Sequence, residues 1–145
     1  MSAAKPAGRF KVVLDTNVYF SAFSSTHGVP FELWRRAVRG GYSLLVSPAI
    51  LRELADILRT DLQLSEPKIV AQLKRVLRVA NIVQPKITLT VVKADPDDDR
   101  ILECAVAGNA DVVVSGDHHL TRLKSFQGIG IMRPVDFLRT LGARA

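Results

Sequence analysis

Phe10-Lys11-Val12-Val13-Leu14-Asp15-Thr16-Asn17 is the stretch on which the architecture turns. Its first half is a short apolar run with adjacent valines, the composition of a strand buried on both faces, and it gives way at once to a carboxylate and two polar side chains. Two further runs repeat the pattern, Tyr42-Ser43-Leu44-Leu45-Val46 and Asp111-Val112-Val113-Val114, and the second again runs into an acid, in Ser115-Gly116-Asp117. Between them apolar residues recur at helical spacing: Phe31, Trp34, Ala37 and Val38 in one segment, Ile50, Leu51, Leu54, Ile57 and Leu58 in another. Strands that alternate with helices predict a parallel sheet flanked by helices.

The punctuation agrees with that alternation. Ser47-Pro48 supplies a capping side chain followed by a proline at the first helical position, and Gly40-Gly41 closes the helix before it. The spacing predicts an amphipathic helix from Lys68 to Ala80, with Ile69, Val70, Leu73, Val76, Leu77 and Ala80 on one stripe. Asp95-Pro96 then opens a helix through Val106, a strand spans Gly128 to Met132, and a last helix starts at Pro134.

A chain of 145 residues with 48% apolar content fits one domain with a substantial core, expected over 10–145, with 1–9 as a loose tail. No segment approaches the roughly 18 uninterrupted apolar residues of a membrane span, and no apolar run follows the N-terminus, so a cytoplasmic protein without membrane contact is expected. Cys104 is the only cysteine, which excludes an internal disulfide, and Ile101-Leu102-Glu103-Cys104-Ala105-Val106 reads as helix core around it. The formal charge of +6 and a pI near 9.9 suit an anionic partner, nucleic acid first and an acidic protein segment second.

Four acids stand out against that basic background. Asp15 and Asp117 both follow apolar strands, and in a parallel sheet both fall at carboxyl ends, where open α/β folds place their ligands. An N-cap role explains either one taken singly. Glu53 borders the apolar stripe of its helix, within reach of a cleft at the sheet edge, although border positions also hold ordinary surface charges; Asp56 lies opposite the stripe and is a solvated acid. In Asp95-Pro96-Asp97-Asp98-Asp99, capping and the helix dipole account for some of the carboxylates. They do not account for so many, because two like charges 4 Å apart cost roughly 4 kcal/mol at an effective dielectric of 20. A cation would relieve that repulsion. Asp99, bordering the stripe of Ile101, Leu102 and Ala105, is selected for the site, with Asp97 in reserve. Setting aside Asp15, Glu53, Asp99 and Asp117 raises the formal charge of the remainder from +6 to +10, an acidic spot in a basic surround. Hard oxygen donors without a Cys or His cluster select Mg²⁺ or Mn²⁺, as one or two ions, over zinc. His118 and His119 lack the helical spacing of a ligand pair and read as surface or phosphate-contacting residues.

The ordered set Leu14-Asp15-Thr16-Asn17, Glu53 early in the helix after the second strand, Asp99-Arg100-Ile101-Leu102 and Ser115-Gly116-Asp117 closely resembles the PIN domain family of metal-dependent nucleases, most of all the bacterial and archaeal toxins of type II toxin–antitoxin systems. The resemblance runs from about Phe10 to Leu138. It implies a three-layer α/β/α domain around a parallel sheet of about four to five strands. It also implies that Asp15, Glu53, Asp99 and Asp117 are catalytic and bind metal, with Thr16, Asn17 and Ser115 supporting them. The extra acids Asp97 and Asp98 leave the third position open by a residue or two. Endoribonuclease activity, an antitoxin partner and a homodimer are further expectations of the resemblance. Arg100, His118, Arg122 and Lys124 lie near the site in sequence and are candidates for steering the RNA backbone.

Three other readings compete. A PIN-like module could hold RNA or a protein without cutting. A phosphotransferase with Asp15 as nucleophile wants a second acid two residues on, where this chain has Asn17. A nucleotide-binding fold wants a phosphate-cradling glycine-rich loop, which is absent from the sequence. Trp34 and Phe31 are candidate anchors for a partner, with ordinary core packing as the alternative.

Overall fold

A computed structural model describes residues 9–93 and 95–142; of the proposed N-terminal tail, 1–8 lie outside the described residues. The chain runs β1 (Lys11–Leu14), α1 (Thr16–Ser24), α2 (Val29–Val38), β2 (Ser43–Val46), α3 (Pro48–Thr60), α4 (Glu66–Val79), β3 (Asn81–Ile82), α5 (Pro96–Ala107), β4 (Val112–Val114), α6 (His118–Thr121), β5 (Ser125–Phe126), β6 (Ile129–Met132) and α7 (Pro134–Leu141). The three apolar runs are β1, β2 and β4, and the segments with helical spacing are α2, α3 and α4. Of the elements that apolar patterning does not announce, α1 is the longest, and it begins directly at the polar residues after Asp15.

The sheet has six strands in the order β3-β2-β1-β4-β6-β5, all pairings parallel except the short antiparallel β5–β6 ladder. The expected four or five strands become six because β3 and β5 are two residues each, too short to show a period in sequence. From β1 the chain moves outward to β2 and β3, then crosses back to place β4 on the other side of β1. The reversal falls between β1 and β4, the point at which an open α/β sheet leaves a crevice beyond its carboxyl ends. Val13↔Val113 and Leu14↔Val114 are in register, so Asp15 and Ser115 leave the sheet side by side.

Layer packing fixes that crevice. Val12, Val13, Leu14, Val113 and Val114 are buried under helices, each large apolar side chain contributing about 1.5–3 kcal/mol on burial. Gly40 ends α2 with a φ of 81°, a conformation that suits glycine, and the amides of Gly40 and Gly41 return to the carbonyls of Ala37 and Arg36 at 3.0 and 2.8 Å. Trp34 is core: it is buried and meets Phe23 edge-on at 5.2 Å, while Phe31 is half-buried. Cys104 is fully buried, and burial pushes its thiol up to about 12. Among the described residues no helix is long and apolar enough to cross a membrane.

Candidate metal centre

Asp15 enters the crevice from the end of β1. It caps α1, its Oδ1 accepting from the Thr16 amide at 2.7 Å and the Thr16 hydroxyl at 3.3 Å. Its Oδ2 accepts from Ser115 Oγ at 2.7 Å and from Asn17 Nδ2 at 3.2 Å. The capping role and a place in the site are thus compatible in one side chain. Burial raises the Asp15 pKa, an effect opposed mainly by the Ser115 and Thr16 hydrogen bonds and reinforced by the Asp117 charge.

Asp117 arrives from β4 through Ser115-Gly116 and caps α6, accepting from the His119 amide at 2.8 Å. Ser115 ties the two strand ends together, because its hydroxyl donates to Asp15 and accepts from the Asp117 amide at 2.9 Å. Asn17 adds a second tie, its Oδ1 accepting from the Gly116 amide at 3.2 Å. Thr16, Asn17 and Ser115 therefore sit where the sequence places them, around the Asp15 carboxylate.

Glu53 reaches the same crevice from the second turn of α3, half-buried beside the core residues Ile50 and Leu54, while Asp56 is exposed. Burial, then the charges of Asp97 and Asp15, push Glu53 up to about 7, moderated by the Thr16 hydroxyl. A cavity of about 230 Å³ is lined by six acids, Asp15, Glu53, Asp61, Asp95, Asp98 and Asp117.

The third carboxylate departs from expectation. Asp98, not Asp99, lines the cavity with Asp15, Glu53 and Asp117. Asp99 is equally buried, but its Oδ1 is taken by two backbone amides, Val91 at 2.9 Å and Val92 at 2.8 Å, so it faces the segment that leads into α5. The reserve, Asp97, is exposed and its charge bears on Glu53. Asp95, which the sequence marks only as a helix cap, does cap α5 through Oδ1 to the Asp97 amide at 3.0 Å, and it also lines the cavity. Among the steering candidates, Arg100 is engaged elsewhere, in an ion pair with Glu103 at 2.8 Å and a hydrogen bond to the Leu89 carbonyl at 3.2 Å. His118, Arg122 and Lys124 are exposed. His119 leans on Asp117, Nδ1 to Oδ1 at 3.3 Å, and stacks on His118 with ring centroids 4.2 Å apart.

The donor set fits a hard divalent cation. Asp95, Asp98 and Asp117 each offer an oxygen within 4.8 Å of the others. Asp98 Oδ2 is buried with no hydrogen-bond partner, a position that costs free energy unless a proton or a cation occupies it. Burial and the charges of Asp15, Asp117 and Asp95 push Asp98 up to about 8. A larger cavity of about 590 Å³ lies between α2 and α4, bordered by Phe31, Trp34, Arg35, Arg39, Arg75 and Arg78, with no carboxylate among its lining residues.

Comparison with known proteins bears on this geometry. The sequence model of the PIN domain matches residues 11–119. An uncharacterized protein of Methanocaldococcus jannaschii, MJ1680, is 30% identical over 121 residues, which span 80% of this chain and 76% of that protein. The fold is similar to that of VapBC2 from Rickettsia felis bound to a DNA fragment from its promoter, with a TM-score of 0.61 and 15% identity over 85% of this chain and 98% of the other. It is also similar to DNA-bound VapBC from Salmonella typhimurium, at 0.60 and 17% over 86% and 98%. PAE2754 from Pyrobaculum aerophilum matches at 0.59 and 14% over 95% and 94%. The matched segment covers most of the chain and holds all six acids of the cavity, from the first strand to the carboxylate after β4, and by that match the chain belongs to the PIN domain family.

Proposed function

We propose that this chain is an Mg²⁺- or Mn²⁺-dependent endoribonuclease that hydrolyses phosphodiester bonds, and that it serves as the toxin of a type II toxin–antitoxin pair. The observation that carries the proposal is the convergence of Asp15, Glu53, Asp95, Asp98 and Asp117 on one cavity, with a buried Asp98 oxygen lacking a partner. Carboxylates gathered in this way repel one another, and their raised pKa values record that repulsion together with burial. Membership of the PIN family supports nuclease chemistry, and the likeness of the fold to VapBC structures supports the toxin role with an antitoxin partner.

Asp98 and Asp117 would hold the ion directly, with Asp95 beside them. Asp15, fixed by four hydrogen bonds, would hold the ion or a water bound to it. A divalent ion there polarises the phosphate and lowers the pKa of water. Glu53, which lines the same cavity from α3, would orient an attacking water toward the phosphorus and accept its proton. The leaving group is then the 3′-oxygen, so the products carry a 5′-phosphate and a 3′-hydroxyl. The exposed cations Arg122 and Lys124 would attract the RNA backbone, which makes binding weaken as salt rises.

The test is cleavage of mixed RNA by purified protein with Mg²⁺. EDTA should stop it, Asp15→Asn should lower it by at least about a hundredfold, and end-group analysis should find 5′-phosphates. Products ending in a 2′,3′-cyclic phosphate, or cleavage that persists in EDTA, would overturn the hydrolytic reading. RNA binding without cleavage would favour a binding module.

A further inference from the structure

Asp99 has a different occupation from its neighbour, and its partners show what it does. Residues 83–95 connect β3 to α5 with no helix or strand of their own among the described residues. Such a segment leaves its backbone groups to be satisfied by other means. Here side chains of α5 satisfy four of them. Glu103 Oε2 accepts from the Leu89 amide at 2.8 Å, Arg100 donates to the Leu89 carbonyl at 3.2 Å, and Asp99 Oδ1 accepts from both Val91 and Val92. Asp99 and Glu103 are one helical turn apart, so they grip the segment at two points along one face of α5. Asp95 lies just beyond the second grip. Its amide returns to the Val92 carbonyl at 3.4 Å, and its own carbonyl accepts from the Asp98 amide at 3.0 Å.

We infer that Asp99 is a positioning residue for the metal centre: by holding Val91 and Val92 against α5 it sets the place of Asp95 and the first turn that carries Asp98. The inference rests on the metal-site reading of the cavity. It assigns the two adjacent buried aspartates opposite tasks, Asp98 toward the ion and Asp99 toward the backbone. Hydrogen-bond partners behind a metal site set ligand geometry, and losing one lowers metal affinity about 10–100-fold. What Asp99 supplies is an acceptor oxygen, and the amide oxygen of asparagine supplies one too. At Asp98 a neutral amide in place of the carboxylate is a lost ligand charge.

Mn²⁺ binding by calorimetry in the full-length chain separates the roles, using Asp98→Asn, Asp99→Asn and Asp99→Ala, with amide hydrogen exchange of Val91 and Val92 in each. Asp98→Asn should weaken binding about tenfold or more and leave both amides protected. Asp99→Asn should stay within about threefold of wild type and keep both amides protected. Asp99→Ala should weaken binding about tenfold or more and expose both amides. If Asp99→Asn weakens binding as much as Asp98→Asn, Asp99 acts through its charge as a ligand and the inference fails. If Asp99→Ala binds like wild type, it fails as well. Should the alanine chain not fold, the asparagine chain decides alone by the same comparison. Absence of Mn²⁺ binding by the wild-type chain would sink the metal-site reading itself, a result distinct from either failure above.

Discussion

In the metal-free protein, stability should fall as pH rises from about 4 to 8, and a divalent ion should reverse the trend. Unfolded Glu and Asp side chains titrate near 4, whereas folded Glu53 titrates at about 7 and Asp98 at about 8. Between those values the folded chain retains protons that the unfolded chain has released. Unfolding then releases protons, and the free energy of unfolding decreases with pH; above about 8 both states are ionised and the slope vanishes. Each pH unit by which the folded pKa exceeds the unfolded one corresponds to about 1.4 kcal/mol. Halved for its solvent contact, Glu53 contributes about 2 kcal/mol, and Asp98, more fully buried, at least about as much. A total of about 4 kcal/mol in a chain of this size lowers Tm by roughly 10 °C. Thermal melts in EDTA across that range, followed by circular dichroism, would measure it. Asp98→Asn should flatten the profile and melt above wild type at pH 8.5, because it removes a buried charge. Added Mg²⁺ should raise the wild-type Tm most at high pH, where protons no longer compete. A wild-type Tm in EDTA that stays level or climbs between about pH 4 and 8 would refute the reasoning.

Two further outcomes follow from the same geometry. Asp95→Asn keeps a good helix cap, since asparagine caps about as well as aspartate, so the metal-free Tm should stay within about 2 °C of wild type. Calorimetry with Mn²⁺ should nevertheless show weaker binding; unchanged affinity would remove Asp95 from the donor set. Gly108→Ala would place a Cβ 2.7 Å from Leu45 Cδ1 and 3.1 Å from Val83 Cγ2. Urea unfolding should record a loss of about 1–3 kcal/mol from this overpacking between α5 and the sheet, and no loss would show that the contact yields freely.

The parallel sheet was legible because β1, β2 and β4 are buried on both faces and so read as unbroken apolar runs. Asp15 and Asp117 followed from those strands, since only the carboxyl ends of parallel strands meet at the crevice. Glu53 followed from its place at the edge of an apolar stripe. The cavity takes Asp98 where the sequence reading selects Asp99, and a signal for it was present: Asp98, Ile101, Leu102 and Ala105 are spaced i, i+3, i+4, i+7, so Asp98 lies within the inward face while Asp99 lies at its margin. What no helical period could reveal is why Asp99 is buried too. Its partners lie in 83–95, a segment without periodicity, and their meeting depends on tertiary structure alone. The two-residue strands β3 and β5 were hidden for the same reason.

The two rims of the sheet, β3 at Asn81–Ile82 and β5 at Ser125–Phe126, present very little free backbone. A long flat rim is a template on which another chain can lay down a strand, and brevity is one of the ways proteins avoid it. Growth of this sheet across molecules is thereby checked on both sides. On its helices, Val38 on α2 and Val70 and Leu77 on α4 are the large apolar side chains turned outward.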